Sequence, residues 1–328
     1  MPWQRIWSGR TSASGRVSVP LPTSDVGSRQ LRVKVRSTAR FSERVSATNS
    51  ISVSSPETTP TPSPTPTATT TVYVTGDVGQ SGGGMALTAD QLTSVSDPVI
   101  LPGDITYTNG TSAEYAANYT PYFGSFVDRS WPVPGNHDYG TGWPYYFTYF
   151  GSRVGSTAQP WYAKQFGSWL FLMLDSNCTR NGGCDASSAQ YAWVTQQLQS
   201  FTGKCVAAVW HHPRWSDGPH GDNATMGDMF ALLRANDVEA LFSGHDHDYE
   251  RFMPSDANGT YDAQGVAEFV VGTGGASLYD FATTSTLTAA RSKESHGVLK
   301  LELSETGYAW SFLPTSGSFA DSGTANCH

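Results

Sequence analysis

At 328 residues the chain can hold one large domain or two smaller ones, and a hydrophobic content of 38% with 10 Trp, 15 Tyr and 15 Phe excludes wholesale disorder. No stretch approaches the ~20 apolar residues that a bilayer-spanning helix needs, so no membrane span is expected. A formal charge of −8, with 20 Lys+Arg against 28 Asp+Glu, weighs against a nucleic-acid-binding surface.

The charge is unevenly spread. Residues 1–45 carry nine Lys/Arg and two acids, a surplus of +7 that leaves −15 for the remainder, and such a break marks separately built modules. Period-two patterns at Val17–Val19, Leu31–Val35 and Ile51–Val53 read as short, solvent-backed strands. Residues 1–55 are therefore expected to be β-rich, either a partial immunoglobulin-like fold or a carbohydrate-binding module. Residues 56–71, with the run TPTPSPTPTATTT, form an extended Pro/Thr linker.

From Val72 to residue 328 a second domain is expected. Short apolar strands run straight into polar or glycine-rich loops: Val72–Thr75 into Gly76-Asp77, Pro98–Leu101 into Gly103-Asp104, and Trp131–Pro134 into Gly135-Asn136-His137. Leu170–Leu174 leads into Asp175, Val206–Trp210 into His211-His212, and Ala240–Ser243 into Gly244-His245. Helical patterns at Leu87–Val95, Ala189–Leu198 and Met226–Ala235 lie between some of them. Strands alternating with helices predict an α/β domain with its functional loops at the carboxyl ends of strands. After Phe269–Val271 the chain turns strand-rich, with a hairpin expected from Val298–Leu303 and Tyr308–Phe312.

Four cysteines allow three pairings. Cys178 with Cys184 would close a short polar loop, leaving Cys205 with Cys327 as the natural second pair. Low lysine, abundant Ser/Thr and the Pro/Thr linker predict an extracellular or secreted protein, although no export signal is visible at the amino terminus. Five Asn-x-Ser/Thr sequons occur, at Asn109, Asn118, Asn177, Asn223 and Asn258.

Polar residues cluster after five strand ends: Asp77, Asp104 with Tyr107, Asn136 with His137, His211, and His245 with His247. Taken singly, each has a plain structural reading as a helix cap, turn residue or core histidine. Delivered together by successive strand ends, they are the oxygen and nitrogen donors that hard and borderline metals take.

The blocks Asp77-Val-Gly79, Gly103-Asp104-Ile-Thr-Tyr107, Gly135-Asn136-His137-Asp138, Val209-Trp-His211-His-Pro213 and Gly244-His245-Asp-His247 resemble, in order and spacing, the calcineurin-like metallophosphoesterases. Tyr107, three residues after Asp104, makes the resemblance specific to the purple acid phosphatase branch. The resemblance spans about residues 72–315. It implies a four-layer sandwich of two mixed β-sheets flanked by helices, and a dinuclear centre with Asp77, Tyr107 and His247 on one metal, Asn136, His211 and His245 on the other, and Asp104 bridging. A phenolate favours Fe(III) in the first site; the second suits Zn, Mn or Fe(II). In the fourth block, counting from Val209 selects His212 as the ligand, whereas the His-x-Pro pattern selects His211, which is preferred. His137 and His220 are the expected proton donors or substrate-side histidines.

The implied activity is hydrolysis of phosphate monoesters by a metal-activated hydroxide attacking phosphorus in line. A phosphodiesterase or nucleotide phosphohydrolase on the same centre is the alternative, and a glycan-binding protein with an inactive metal site is a further one. A polysaccharide partner would be held through the N-terminal segment. A serine hydrolase is set aside: there is no Gly-x-Ser-x-Gly elbow, and no recognisable spacing puts a base beside Ser176. Tyr139, Trp143, Tyr145, Tyr146 and Trp215 either line a substrate cleft or pack the loops.

Overall fold

The computed structural model describes residues 27–31, 34–35, 44–45, 49–53 and 69–328. Its contacts divide the chain into two units, 1–66 and 67–328. In the first, β1 (Gly27–Leu31) pairs antiparallel with β4 (Asn49–Val53), and β2 (Lys34–Val35) with β3 (Arg44–Val45). The strand expected at Val17–Val19 and the body of the Pro/Thr linker lie outside the described residues.

The second unit is built on two mixed sheets. One has six strands: β5 (Thr70–Val74), β6 (Val99–Pro102), β7 (Ser130–Val133), β15 (Gly297–Leu303), β16 (Gly307–Pro314) and β17 (Ser322–Asn326), in the order β17-β16-β15-β5-β6-β7. The other has seven: β8 (Tyr162–Phe166), β9 (Trp169–Met173), β10 (Val206–Val209), β11 (Ala240–Ser243), β12 (Tyr249–Ser255), β13 (Val266–Val271) and β14 (Thr288–Ser292), in the order β14-β12-β13-β11-β10-β9-β8. The strands that lead into the polar loops are parallel neighbours, β5-β6-β7 in one sheet and β9-β10-β11 in the other. Their carboxyl ends therefore gather at one edge of the molecule, where the loops meet.

Strand periodicity sorts the core into two sets of contacts. Phe171, Met173, Ala207, Val209, Phe242 and Phe269 pack in one cluster with Val72, Val74, Leu299 and Leu301 of the opposing sheet. Their alternates Leu170, Leu172, Val206, Ala208, Leu241 and Val270 pack in another with Val194, Met229, Phe230 and Leu233, carried by α3 (Ala189–Ser200) and α4 (Gly227–Ala235). A one-residue slip of any of these strands would exchange its two apolar faces. On the other side, Met85, Ala89 and Leu92 of α1 (Met85–Thr93) and Tyr115, Tyr119 and Phe123 cover the six-stranded sheet. The result is helices, sheet, sheet, helices.

The expected hairpin forms, with Leu303 opposite Tyr308. The elements not expected include β3, β8, β12, β14, β17, the helical turns over 112–129 and Ser152–Val154, and α2 (Trp143–Phe150). Thr-Ala-Ala-Arg-Ser in β14 and Ser-Gly-Thr-Ala-Asn in β17 lack an apolar alternation; both are held by pairing to a neighbour, a signal the local sequence does not carry. The aromatic run of α2 shows neither period, but Pro144 stands in its first turn and Gly151, at φ 75°, ends it. Among the described residues no helix is long and apolar enough to cross a membrane.

Candidate metal centre

Each loop is fixed by its neighbours before any side chain is considered. Asp77 N donates to the Gly103 carbonyl and Val78 N to the Asp104 carbonyl, both at 3.1 Å, so the loops after β5 and β6 are laced together. The buried Asp138 carboxylate accepts from Gly135 N at 2.8 Å and Ile105 N at 3.2 Å, joining the loop after β7 to the same set. Three of the four non-glycine residues with positive φ in the described chain are Asp77 (58°), Asp104 (49°) and His245 (71°). Each costs of order 1–3 kcal/mol and persists only where surrounding structure over-determines it. Two glycines allow the approach: a Cβ on Gly103, itself at φ 89°, would collide with the His211 ring, and one on Gly135 with the Asp104 carboxylate.

The expected ligands fall into two adjoining groups. In the first, Tyr107 Oη lies 3.0 Å from both Asp77 Oδ1 and His247 Nε2, and His247 Nε2 is 3.5 Å from Asp77 Oδ1. In the second, His211 Nε2 lies 3.0 Å from Asn136 Oδ1 and 3.4 Å from Asp104 Oδ2. The His245 ring stands 5.0 Å from that of His211, and ring nitrogens of the two come within 4.8 Å. Ligand oxygens of Asp77 and Asp104 and a ring nitrogen of His211 also lie within 4.8 Å of one another, which puts Asp104 between the groups.

In two of the three histidines the second ring nitrogen is spoken for. His211 Nδ1 meets the Pro102 carbonyl at 2.8 Å and His247 Nδ1 the Ser277 carbonyl at 2.9 Å. A carbonyl can only accept, so each Nδ1 donates, and Nε2 is the nitrogen that would present a lone pair inward to a metal ion displacing its proton. Asp77 and Asp104 are almost wholly buried, and no Lys or Arg among the described residues pairs with either; their ionic partners are histidines. Buried carboxylates without a fixed cation, facing lone-pair donors, fit bound metal ions.

The same lack of a cation shapes the proton affinities. Burial, with the charges of Asp77 and Asp104, pushes the Tyr107 phenol well above its ordinary range. Burial opposes charge on His211, but Asp104 overrides it and raises the imidazole to about 10. Burial also works against the Asp104 anion and is outweighed by His211 and His137, which hold the carboxyl below its usual range. His245 goes the other way, depressed by burial and by His211, His212 and His220.

His137 donates its backbone N–H to Asp104 Oδ1 at 2.9 Å, and its Nδ1 meets the Thr108 carbonyl at 2.8 Å, leaving Nε2 facing the site from a partly exposed ring. His220 Nδ1 donates to Asp246 Oδ1 at 2.8 Å, and its ring packs 4.1 Å from that of His245. His211 is the member of the His-His pair that meets Asn136 and Asp104. His212 Nδ1 is instead 2.8 Å from Ser176 Oγ. This corrects the expectation that no base stands beside Ser176: residues 36 apart are brought together because β9 and β10 are parallel neighbours. The serine remains unsuited as a nucleophile, since its oxygen also accepts the His212 backbone N–H at 2.9 Å and, among the described residues, no carboxylate orients the imidazole.

Three supporting residues fall outside the expected donor set, although two of them, Asp138 and Asp246, lie inside the blocks that carry the resemblance. Asp138 and Asp246 stand beside the ligands and read as turn acids. Tyr279, which stacks on His247 at 4.0 Å, comes from a loop with no motif. Of the aromatics, Tyr146 and Trp215 are core, while Tyr139 stacks on Trp143 and faces the site loops. Asn177 is buried with its amide on Pro134 and Asp175, so that sequon is closed to glycosylation in the folded chain.

The sequence profile of the calcineurin-like phosphoesterases matches residues 70–249, more than half of the chain and all five loops that carry the expected ligands. The chain belongs to the calcineurin-like phosphoesterase family. Within it, the chain is similar to purple acid phosphatase 18 of Arabidopsis thaliana, at 29% identity over 225 residues that make up 62% of this chain and 49% of that protein. It thus spans about half the length of that relative. Among solved structures, a purple acid phosphatase from yellow lupin (Lupinus luteus) seeds superposes with a TM-score of 0.69 at 19% identity, covering 89% of this chain and 58% of the lupin chain. GAP50, the anchor in the inner membrane complex of Plasmodium, superposes with a TM-score of 0.61 at 17% identity over 79% of this chain and 89% of its own. At these identities the structural likenesses establish the fold.

Proposed function

We propose that this member of the family is a metal-dependent phosphomonoester hydrolase of the purple acid phosphatase type. The observation that carries the reading is the pair of donor groups, Asp77/Tyr107/His247 and Asn136/His211/His245, meeting at the buried carboxylate of Asp104. These residues would hold two ions, Fe(III) beside the phenolate oxygen of Tyr107 and Zn, Mn or Fe(II) beside the amide and imidazoles. When bound, such a pair neutralises phosphoryl charge and lowers the pKa of water enough to supply a nucleophile at neutral or acid pH.

The chain's own residues do the rest. Asp104 would carry charge for both ions, and it anchors the His137 loop by accepting the His137 backbone N–H at Oδ1. In hydrolysis an oxygen–phosphorus bond forms as the phosphorus–ester bond breaks, and the departing alkoxide needs a proton. His137 and His220 are the donors: each has Nδ1 engaged, by the Thr108 carbonyl and by Asp246, which leaves Nε2 as the nitrogen from which the imidazolium form would deliver its proton. The disulfides Cys178–Cys184 and Cys205–Cys327 are compatible with an oxidising, extracellular setting, where this reading places the enzyme. The same reading makes residues 1–55 a separate module on a Pro/Thr spacer, with polysaccharide pull-down as its test.

The deciding experiment combines metal analysis and visible absorbance with turnover of p-nitrophenyl phosphate and its bis-ester. The expected outcome is about one iron per chain, an absorption band that Tyr107→Phe abolishes, and preference for the monoester. Preference for the diester, or a colourless enzyme requiring only divalent metal, moves the function to phosphodiesterase; absence of metal and turnover overturns the hydrolase reading. His211→Ala and His212→Ala separate the neighbouring histidines: the first is expected to lose one metal and on the order of 10³-fold in kcat/KM, the second to keep both metals.

A further inference from the structure

Beside the Asn136 half of the site lies an open cavity of about 340 Å³. None of the ten residues lining it is acidic, in a chain whose formal charge is −8. Its cation is Arg180. Arg234, Arg251 and Arg291 are committed to carboxylates and Arg129, Arg153 and Arg214 to backbone carbonyls, whereas the exposed Arg180 has neither kind of partner among the described residues. An arginine left unpaired in an acid-free cavity is a ready partner for an anion.

The loop that carries Arg180 is built rather than loose. Cys178–Cys184 closes it, Arg180 N donates to the Asn177 carbonyl at 2.8 Å, and Asn181 Nδ2 donates to the Asp175 carbonyl at 2.8 Å. Asn177 Nδ2 then reaches the Pro134 carbonyl at 3.3 Å, tying the loop to the turn that presents Asn136. Two further groups facing the cavity are donors. Ser176 Oγ accepts from the His212 backbone N–H and, among the described residues, finds no other acceptor than His212 Nδ1, so it donates there and leaves the proton on Nε2. Asn223 turns its Oδ1 to Thr225 N at 2.9 Å, which leaves its amide N–H₂ uncommitted.

We propose that this cavity receives a second phosphate of the substrate, held by Arg180, so that the preferred substrates are phosphomonoesters whose leaving group carries another phosphate. The inference rests on the hydrolase reading above and deepens it. Asn136 lines the cavity as well as contacting His211, so a molecule spanning from the scissile phosphate to Arg180 stays within one continuous space. Arg180 is a specificity-determining residue here: it touches the leaving group and not the reacting phosphorus.

The test compares kcat/KM for glucose 1,6-bisphosphate and glucose 6-phosphate, using the metal-loaded full chain and its Arg180→Ala and Arg180→Lys variants. Wild type is expected to favour the bisphosphate, and Arg180→Ala to lower that preference by about 10- to 100-fold, the effect of losing one charge-assisted contact. Arg180→Lys should restore part of it. A wild type without preference, or a ratio that Arg180→Ala leaves unmoved, overturns the proposal. A binding readout separates this failure from failure of the hydrolase reading. Calorimetric titration with inorganic pyrophosphate should show at least tenfold weaker binding to Arg180→Ala even if neither sugar phosphate is turned over, and equal binding to both proteins counts against the cavity whatever the activity.

Discussion

Replacing Asp104 with alanine is expected to lower kcat/KM for p-nitrophenyl phosphate by at least about 10³-fold and to leave the purified protein depleted of metal. On the proposed reading the carboxylate has two tasks, one at each oxygen. Oδ2 stands 3.4 Å from His211 Nε2, at the meeting of the two donor groups, and Oδ1 accepts the His137 backbone N–H at 2.9 Å. Alanine removes both, and it also places a Cβ without polar compensation at φ 49°. Asp104→Asn separates the tasks: asparagine tolerates the left-handed backbone and its carbonyl still accepts from His137, but it brings no charge. Asp104→Asn is therefore expected to fold with a Tm close to wild type while remaining as inactive and as poor in metal as Asp104→Ala. An Asp104→Asn protein with full metal and a tenth or more of wild-type turnover would remove Asp104 from the position between the ions. It would also sink the account of a charge shared by both halves.

How much of this was legible beforehand depended on where the deciding contacts lie along the chain. The strand-to-loop junctions were readable because strand, glycine and candidate ligand are contiguous. Gly103-Asp104 and Gly135-Asn136 announce both a backbone turn and a donor, and the structure gives the reason for each glycine in the side chain it would otherwise strike. The parallel core strands were readable because burial on both faces leaves unbroken apolar runs such as Leu170–Leu174 and Val206–Trp210. What stayed hidden depends on contacts distant in sequence. Asp246 holds His220 across 26 residues, Ser176 meets His212 across 36, and Tyr279 covers His247 across 32. β14 and β17 likewise take their strand form from a partner's edge. Local pattern names the donors; only the folded sheets show which groups orient them.

The two disulfides, which sequence left among three pairings, are expected to fail in opposite ways. Cys205 and Cys327 are buried and 122 residues apart, and their bond joins the start of β10 in the seven-stranded sheet to the end of β17 at the edge of the six-stranded one. A loop of that length is worth about 5 kcal/mol of unfolded-chain entropy, against about 2 kcal/mol for the seven-residue loop of Cys178–Cys184. β17 has little else to hold it: its residues alternate between exposed and half-buried, and it pairs with β16 alone. The Cys205→Ser/Cys327→Ser variant should therefore lose roughly 10–20 °C in Tm. Its specific activity at 25 °C should stay near wild type, because Cys205 enters β10 at the end opposite His211. Cys178→Ser/Cys184→Ser should lose less than half as much in Tm, yet change substrate preference, because that bond closes the loop presenting Asn177 and Arg180 beside the site. Thermal melts and kinetics on the two double variants check both halves. If the long-loop variant melts with wild type, β17 is held by its ladder with β16 and the bond only decorates it. If the short-loop variant keeps wild-type preference, the loop takes its shape from the Asn181 and Asn177 hydrogen bonds rather than from the covalent closure.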